Sequence, residues 1–252
     1  MKSSFFADLV TGISGFLFCL SLSIVLILHF RPLYVQEIKD QELSSLSSMS
    51  ETEILEQYDA LIHYNSLFYR GELHFPSLPM SEEGRIHFSE VKKIFDAIQL
   101  LLIFSAATFF PLAFFRIRKR RFVFFRIIPS ISAVLAFLAA FGALLDWDAL
   151  FTAFHKLFFR NDYWLFDPDT DPVINLLPDS YFLHCLAGIL VLLLFFLCSL
   201  PSSGIIFPGR SDKPYSHFFR FFLFHKELYL HKHKCLYSFF HGPARMQALY
   251  CW

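Results

Sequence analysis

The sequence predicts an all-α polytopic membrane protein, with four transmembrane helices and two long extracytoplasmic loops that contain interfacial helices. Three observations carry this expectation. Hydrophobic residues make up 55% of the 252 residues, 35 of them Phe, which exceeds the apolar share of a soluble domain. Four apolar runs, at about 8–30, 94–115, 122–145 and 182–200, each have the roughly 20 residues that cross ~30 Å of hydrocarbon. The charges are also divided by sign between the connecting segments.

Lys2 precedes the first run as it would in a signal peptide, but no small-x-small cleavage site follows in "LILHFRPLYVQ". The run is therefore read as a retained helix. From Arg116 to Arg126 the chain carries six basic residues and no acid, so this inner basic loop (116–121) is expected in the cytoplasm. Residues 31–93 carry six Lys/Arg against eleven Asp/Glu, and residues 146–181 carry two against seven. These two segments are the expected outer loops, which puts both termini inside. Residues 1–205 form the expected membrane domain. Residues 206–252 read as a flexible, aromatic-rich cytoplasmic tail on the inner leaflet. Its His231, His233 and Cys235 lack a second ligand pair and are not read as a metal site. The five cysteines lie in apolar runs or in the tail, without the spacing of a disulfide framework or a zinc site. The basic loop is explained by topology, so no nucleic-acid partner is expected.

In the first outer loop, Ser50 and Glu53 match an S-x-x-E capping box and Gly71 ends the pattern. Between them Ile54, Leu55, Tyr58, Leu61, Ile62, Asn65 and Phe68 keep the 3–4 spacing of one helical face. That face is expected on the lipid surface or against the other loop. Pro76, Pro79 and Gly84 then break the chain before a second spanning helix that is expected to begin near Ser89. This leaves His87 at a helix start, with Glu90 three residues on to orient its ring and the positive helix end favouring neutral imidazole. Lys92, Lys93 and Asp96 read as an interfacial charge cluster. His63 and His74 are explained by a surface helix and a short extended segment.

The second outer loop opens with an amphipathic stretch. Trp147, Leu150, Phe151, Phe154, Leu157 and Phe158 form an apolar stripe, opposite Asp148, Thr152, His155 and Lys156, as in a helix lying in the interface plane. His155 is expected at the stripe's edge, facing the headgroup layer. The following "DPDTDP" has acids at alternate positions, but two prolines and no turn glycine argue against a calcium loop. It reads instead as a Pro-fixed turn with Asx-type hydrogen bonds.

The chain has no G-x-S-x-G, no H-E-x-x-H and no outward cysteine nucleophile. Chemistry on the outer face would fall to His87 and His155, with Arg85, Arg160, Asn161 and Tyr64 as polar partners, and without metal or cofactor. A transporter is disfavoured because the only acid noted in the four runs is Asp96, near a membrane end.

The stretches "SEEGRIHFSEVKKIF" at 81–95 and "FHKLFFRNDYWLFDPDTDPVINLLPDSYF" at 154–182 resemble the lipoprotein intramolecular transacylases (Lit), small four-helix membrane proteins of low-GC Gram-positive bacteria. The likeness covers roughly residues 5–205; the last 45 or so residues depart from it. It implies a bacterial cytoplasmic-membrane acyltransferase whose partners are membrane lipid and a diacylated lipoprotein. The sn-2 acyl chain of the diacylglyceryl group would move to the α-amino group of the same N-terminal cysteine, giving a lyso-form lipoprotein. The two histidines of the family's motifs fall on His87 and His155. One would act as base, and the other would donate to the oxyanion or to the departing glyceryl oxygen. The helix-start argument leans toward His87 as the base, while Arg85, Arg160 and Asn161 are candidate donors. The competing class is a non-enzymatic membrane scaffold or a pH-responsive sensor, in which conservative changes at both histidines would be tolerated.

Overall fold

The computed structural model describes residues 2–199; the expectations for the tail, including His231, His233 and Cys235, lie outside them. In chain order the elements are α1 (Lys2–Leu28), α2 (Arg31–Asp40), α3 (Leu43–Ser47), α4 (Glu51–Tyr64), α5 (Glu82–Arg118), α6 (Phe124–Leu145), α7 (Trp147–Phe158), a 3₁₀ turn (Pro172–Leu176) and α8 (Asp179–Ser199). Four helices, α1, α5, α6 and α8, are long and apolar enough to cross a membrane.

Helix α1 lies at the centre of the bundle and packs against α5, α6 and α8. Its sequence permits this because small residues recur where neighbours come close. A Cβ on Gly12 would lie 2.6 Å from the Ile127 side chain, and one on Gly15 would lie 2.6 Å from Ile128 and 2.7 Å from Phe109. Close backbone approach at small residues is how helices associate where lipid removes the hydrophobic drive. The buried hydroxyls of Thr11, Ser21 and Ser23 are satisfied by carbonyls one turn back, at 2.7–2.8 Å. Asp8, which lies inside α1, is only 2% exposed and accepts from Arg116 Nε at 2.7 Å. This corrects the expectation that Asp96 was the acid to consider: a buried ion pair ties the start of α1 to the end of α5.

Helix α5 begins at Glu82, seven residues before the expected start. Ser81 is its N-cap and accepts from the Gly84 amide at 2.9 Å. Gly84 therefore lies inside the helix rather than breaking it. With 37 residues at about 1.5 Å each, α5 is about 55 Å long, far more than about 30 Å of hydrocarbon needs. The apolar stretch 97–115 has the length and composition to cross, and the charged turns at 82–96 precede it.

Those turns support a cap built from both long loops. The core of the cap holds Tyr34, Ile38, Leu43, Ile54, Tyr58, Leu61, Val173, Leu176 and Tyr181. Tyr34 stacks on Tyr58 at 4.0 Å, and Tyr181 meets Tyr34 edge-on at 5.2 Å. The Tyr34 hydroxyl donates to the Leu176 carbonyl at 2.7 Å. The apolar face of α4 thus packs on the other loop, one of the two places the sequence allowed. The capping box is present, with Ser50 N–H donating to Glu53 at 2.8 Å and Glu53 N–H to the Ser50 hydroxyl at 3.3 Å. The helix ends earlier than the periodicity implied. Asn65 is its C-cap, and Phe68 is 88% exposed. The charge cluster at the base of the cap is as expected, with Lys92 Nζ 3.2 Å from Asp96.

The "DPDTDP" segment is an Asx turn, Asp169 N–H donating to Asp167 Oδ1 at 3.0 Å. It also reaches further than a local turn. Asp171 is 3% exposed; it accepts the Ser81 amide at 2.8 Å and the Thr170 hydroxyl at 2.9 Å. The second loop is thereby joined to the first turn of α5. Gly84 is required there, because a Cβ would collide with the Asp171 carboxylate.

Candidate active site

His87 sits in the second turn of α5 and His155 in the last turn of α7. The two helices bring the rings to a centroid separation of 6.2 Å, 29° from parallel. Aromatic residues of the second loop enclose them. Phe159 is 4.7 Å and Phe166 5.4 Å from His87, while Phe151 is 4.2 Å and Trp164 4.6 Å from His155. His87 and His155 are 6% and 9% exposed.

That burial corrects the expected orientation of α7. His155 faces inward along with Phe151, one turn before it. The outward face instead carries Phe154, Leu157 and Phe158, at 47%, 77% and 51% exposure. The physical reason is that α7 has two apolar surfaces to satisfy. Its aliphatic and Phe stripe suits lipid, whereas the aromatic cage takes the face where a histidine can also be accommodated.

The two rings differ in their hydrogen bonding. His155 Nδ1 is 2.8 Å from the Phe151 carbonyl. A carbonyl can only accept, so Nδ1 carries the proton and the neutral ring presents Nε2 as its lone pair. His87 Nδ1 is buried and has no partner. Glu90, expected to orient His87, instead accepts from Asn161 Nδ2 at 3.1 and 3.2 Å. This bridge pins the second loop to α5 on the face that bears His87. Burial pushes His87 down to about 4, with the neighbouring His155 adding to the effect. Burial also lowers His155, partly offset by its bond to the Phe151 carbonyl and by Asp179. Both rings are therefore neutral near pH 7.

The remaining predicted residues divide. Asn161 joins the site through Glu90. Arg160, one residue earlier, is exposed and makes no ion pair among the described residues. Arg85 points the other way, paired with Glu82 at 2.7 Å and lying 3.9 Å from Glu72. Tyr64 is buried in the first loop, with Lys92 Nζ 5.4 Å from the centre of its ring. No hydrogen bond links Arg85 or Tyr64 to either histidine among the described residues. Sequence reasoning missed Trp164 and Phe166, whose signal was the alternation of aromatics in "YWLF". It also missed a second polar cluster, in which buried Glu37 accepts from Ser180 and lies 2.7 Å from His184 Nδ1. Among the described residues, no three His, Cys, Asp or Glu side chains group closely enough to hold a metal ion.

Four helices long and apolar enough to span a membrane, under a cap that encloses a pair of buried histidines, define a polytopic membrane protein with an enclosed polar site at one end of its bundle. The chain belongs to the lipoprotein intramolecular transacylase Lit family, whose model matches residues 9–182. It is similar to the in meso structure of the membrane-integral Lit of Bacillus cereus, at 31% identity and a TM-score of 0.76, over 78% of this chain and 92% of that one. Two further structures of the Bacillus cereus protein, with a histidine replaced by arginine or by alanine, each match at 31% identity and a TM-score of 0.72 over 78% of this chain. They are covered over 88% and 90% of their own lengths. No curated protein matches the chain.

Proposed function

We propose that this chain moves the sn-2 acyl group of a diacylglyceryl lipoprotein onto the α-amino group of the same N-terminal cysteine, with His155 as the base. The observation that carries this is the enclosure of two neutral imidazoles, one of them locked by the Phe151 carbonyl with Nε2 free. Amine and ester belong to one molecule, so the reaction needs positioning, a proton acceptor and relief of oxyanion charge, and no protein nucleophile.

The amine nitrogen attacks the ester carbonyl carbon and forms the C–N bond, and His155 Nε2 takes the proton that the nitrogen sheds. The C–O bond to glycerol breaks, and imidazolium His155 returns that proton to the departing oxygen. The products are an amide and a free glyceryl hydroxyl. His87, neutral through burial, donates its N–H to substrate oxygen. The fixed tautomer of His155 outweighs the helix-start argument that favoured His87 as base. We assign the cap to the outer face of the cytoplasmic membrane, since the basic segment 116–126 occupies the opposite end of the bundle. Diacylated lipoprotein and the surrounding lipid are its partners.

The test is mass spectrometry of the N-terminal peptide of a reporter lipoprotein, co-expressed with this chain in cells that otherwise keep the diacyl form. The expected result is one acyl chain moved from glycerol to nitrogen at unchanged total mass. His155→Ala and His87→Ala should each reduce product by about 10²–10⁴-fold while remaining in the membrane. An unaltered diacyl peptide beside inserted wild-type protein would overturn the assignment in favour of a scaffold.

A further inference from the structure

Among the described residues, five buried side-chain nitrogen or oxygen atoms lack a hydrogen-bond partner. Two of them belong to the histidine cage, His87 Nδ1 and Trp164 Nε1, and a third, Trp147 Nε1, lies two turns before His155 on α7. Trp147, Phe151 and His155 follow one another at four-residue intervals on α7, with Trp147 5.8 Å from Phe151. Trp164 reaches the same group from the loop beyond, lying on His155 at 4.6 Å and 28° from parallel. An indole N–H can only donate, and a buried donor without an acceptor is unfavourable. An acceptor oxygen brought by the substrate would complement it.

We propose that Trp164 is a further catalytic residue, its Nε1–H donating to the ester carbonyl oxygen as negative charge gathers there. This rests on the transacylase reading above. The atom that receives the amine's proton and the carbon being attacked are separated only by the reacting nitrogen. A donor flanking His155 therefore lies beside the oxygen of that carbon. A preorganised donor in a water-poor cage stabilises an oxyanion far more than one in solvent. Trp164 sits in the segment between α7 and the 3₁₀ turn, flanked by Tyr163 at 38% and Leu165 at 62% exposure. This is the part of the enclosure that can part for a lipid ester without disturbing a helix. As nitrogen bonds to carbon, the carbonyl π pair moves onto oxygen and is held by the indole N–H. When the pair returns, the glyceryl C–O bond breaks, and the indole keeps its proton throughout.

The experiment uses the full chain in lipid nanodiscs and a synthetic diacylglyceryl lipopeptide, with N-acyl product followed by mass spectrometry. Trp164 is replaced by a benzothienyl alanine, which keeps the bicyclic shape and puts sulfur where the N–H was, and separately by Trp164→Phe. Both should lower kcat by about 10²–10³-fold, as loss of one oxyanion donor does, while KM and the pH profile set by His155 stay near those of the wild type. A kcat close to wild type in either variant would overturn the proposal and leave Trp164 as a stacking residue. A loss expressed as a displaced pH profile would overturn it as well, since that reports on His155. Wild-type protein run alongside separates the two claims: absence of product from wild type defeats the transacylase reading itself, whereas active wild type with active variants defeats only the role of Trp164.

Discussion

At the scale of single residues, the contrast between the two histidines follows from what each ring nitrogen meets. His155 has a carbonyl at Nδ1 and His87 has nothing there, so identical side chains acquire different capacities. Burial makes both resist protonation. The resulting dependence of stability on pH has a definite sign. In the unfolded chain each histidine binds a proton near 6.5, whereas in the folded protein both values are lowered, to about 4 for His87. The stability they contribute is whole above about 6.5 and is lost as pH falls toward the folded values, because only the unfolded chain takes up the protons. Thermal unfolding of the full chain in detergent should therefore show a lower Tm at pH 5 than at pH 7.5. His87→Phe, which cannot be protonated, should flatten that difference. An undiminished difference in His87→Phe would assign the effect to other groups.

At the scale of elements, the first turn of α5 determines how well the site is assembled, since His87 is within two turns of residues that the second loop holds in place. Ser81, Gly84 and Asp171 form one unit: the hydroxyl caps the helix, the carboxylate takes the Ser81 amide, and the missing Cβ lets them meet. Gly84→Ala should displace Asp171 and cost about 1–3 kcal/mol, read as a fall in Tm, with acyl transfer reduced because α5 and the aromatic loop shift apart. Gly84→Ala at wild-type Tm and activity would show that the loop seats itself without this contact. The same unit marks the boundary of what the sequence could reveal. The capping box at Ser50 and Glu53 was legible because cap and helix are neighbours in the chain. So was the amphipathic span of α7, which follows from periodicity alone. The partner of Ser81 lies 90 residues away, and no local pattern announces it. Helix α2 went unread although Pro32 in its first turn, and Tyr34 and Ile38 one turn apart, are ordinary helix signals; it directly follows a spanning run and looked like loop. The inward direction of His155 was hidden because the apolar stripe of α7 is wide enough to meet lipid along Phe154, Leu157 and Phe158 and the cage along Phe151, and periodicity alone does not say which edge turns inward.

At the scale of the whole molecule, the bundle has two chemically unlike ends. One end carries the cap, the acids at 82–96 and the histidine pair. The other carries the basic segment, with Arg116 turned inward to Asp8. The ion pair ties the N-terminal end of α1 to the C-terminal end of α5, so it fixes their antiparallel order. Helix α6 then returns from the basic end, since Phe124 begins it and Asp146, which caps α7, ends it. The charge imbalance that orients membrane proteins acts on the basic end, and it carries the cap to the opposite side of the bilayer. The consequence can be read with single cysteines in a cysteine-free background. Phe68 is 88% exposed at the cap, so Phe68→Cys should react with a membrane-impermeant maleimide added to intact cells. Lys119 lies between α5 and α6 at the basic end and is exposed, so Lys119→Cys should react only after the membrane is opened. Labelling of both positions from outside would place the two ends on one side, which an odd number of crossings between residues 68 and 119 forbids. Either the span of α5 or the orientation of the site toward the outer leaflet would then be wrong. Labelling of Lys119→Cys but not of Phe68→Cys before permeabilisation would invert the protein and turn the histidine cage toward the cytoplasm, where a lipoprotein's N-terminal cysteine after export could not reach it.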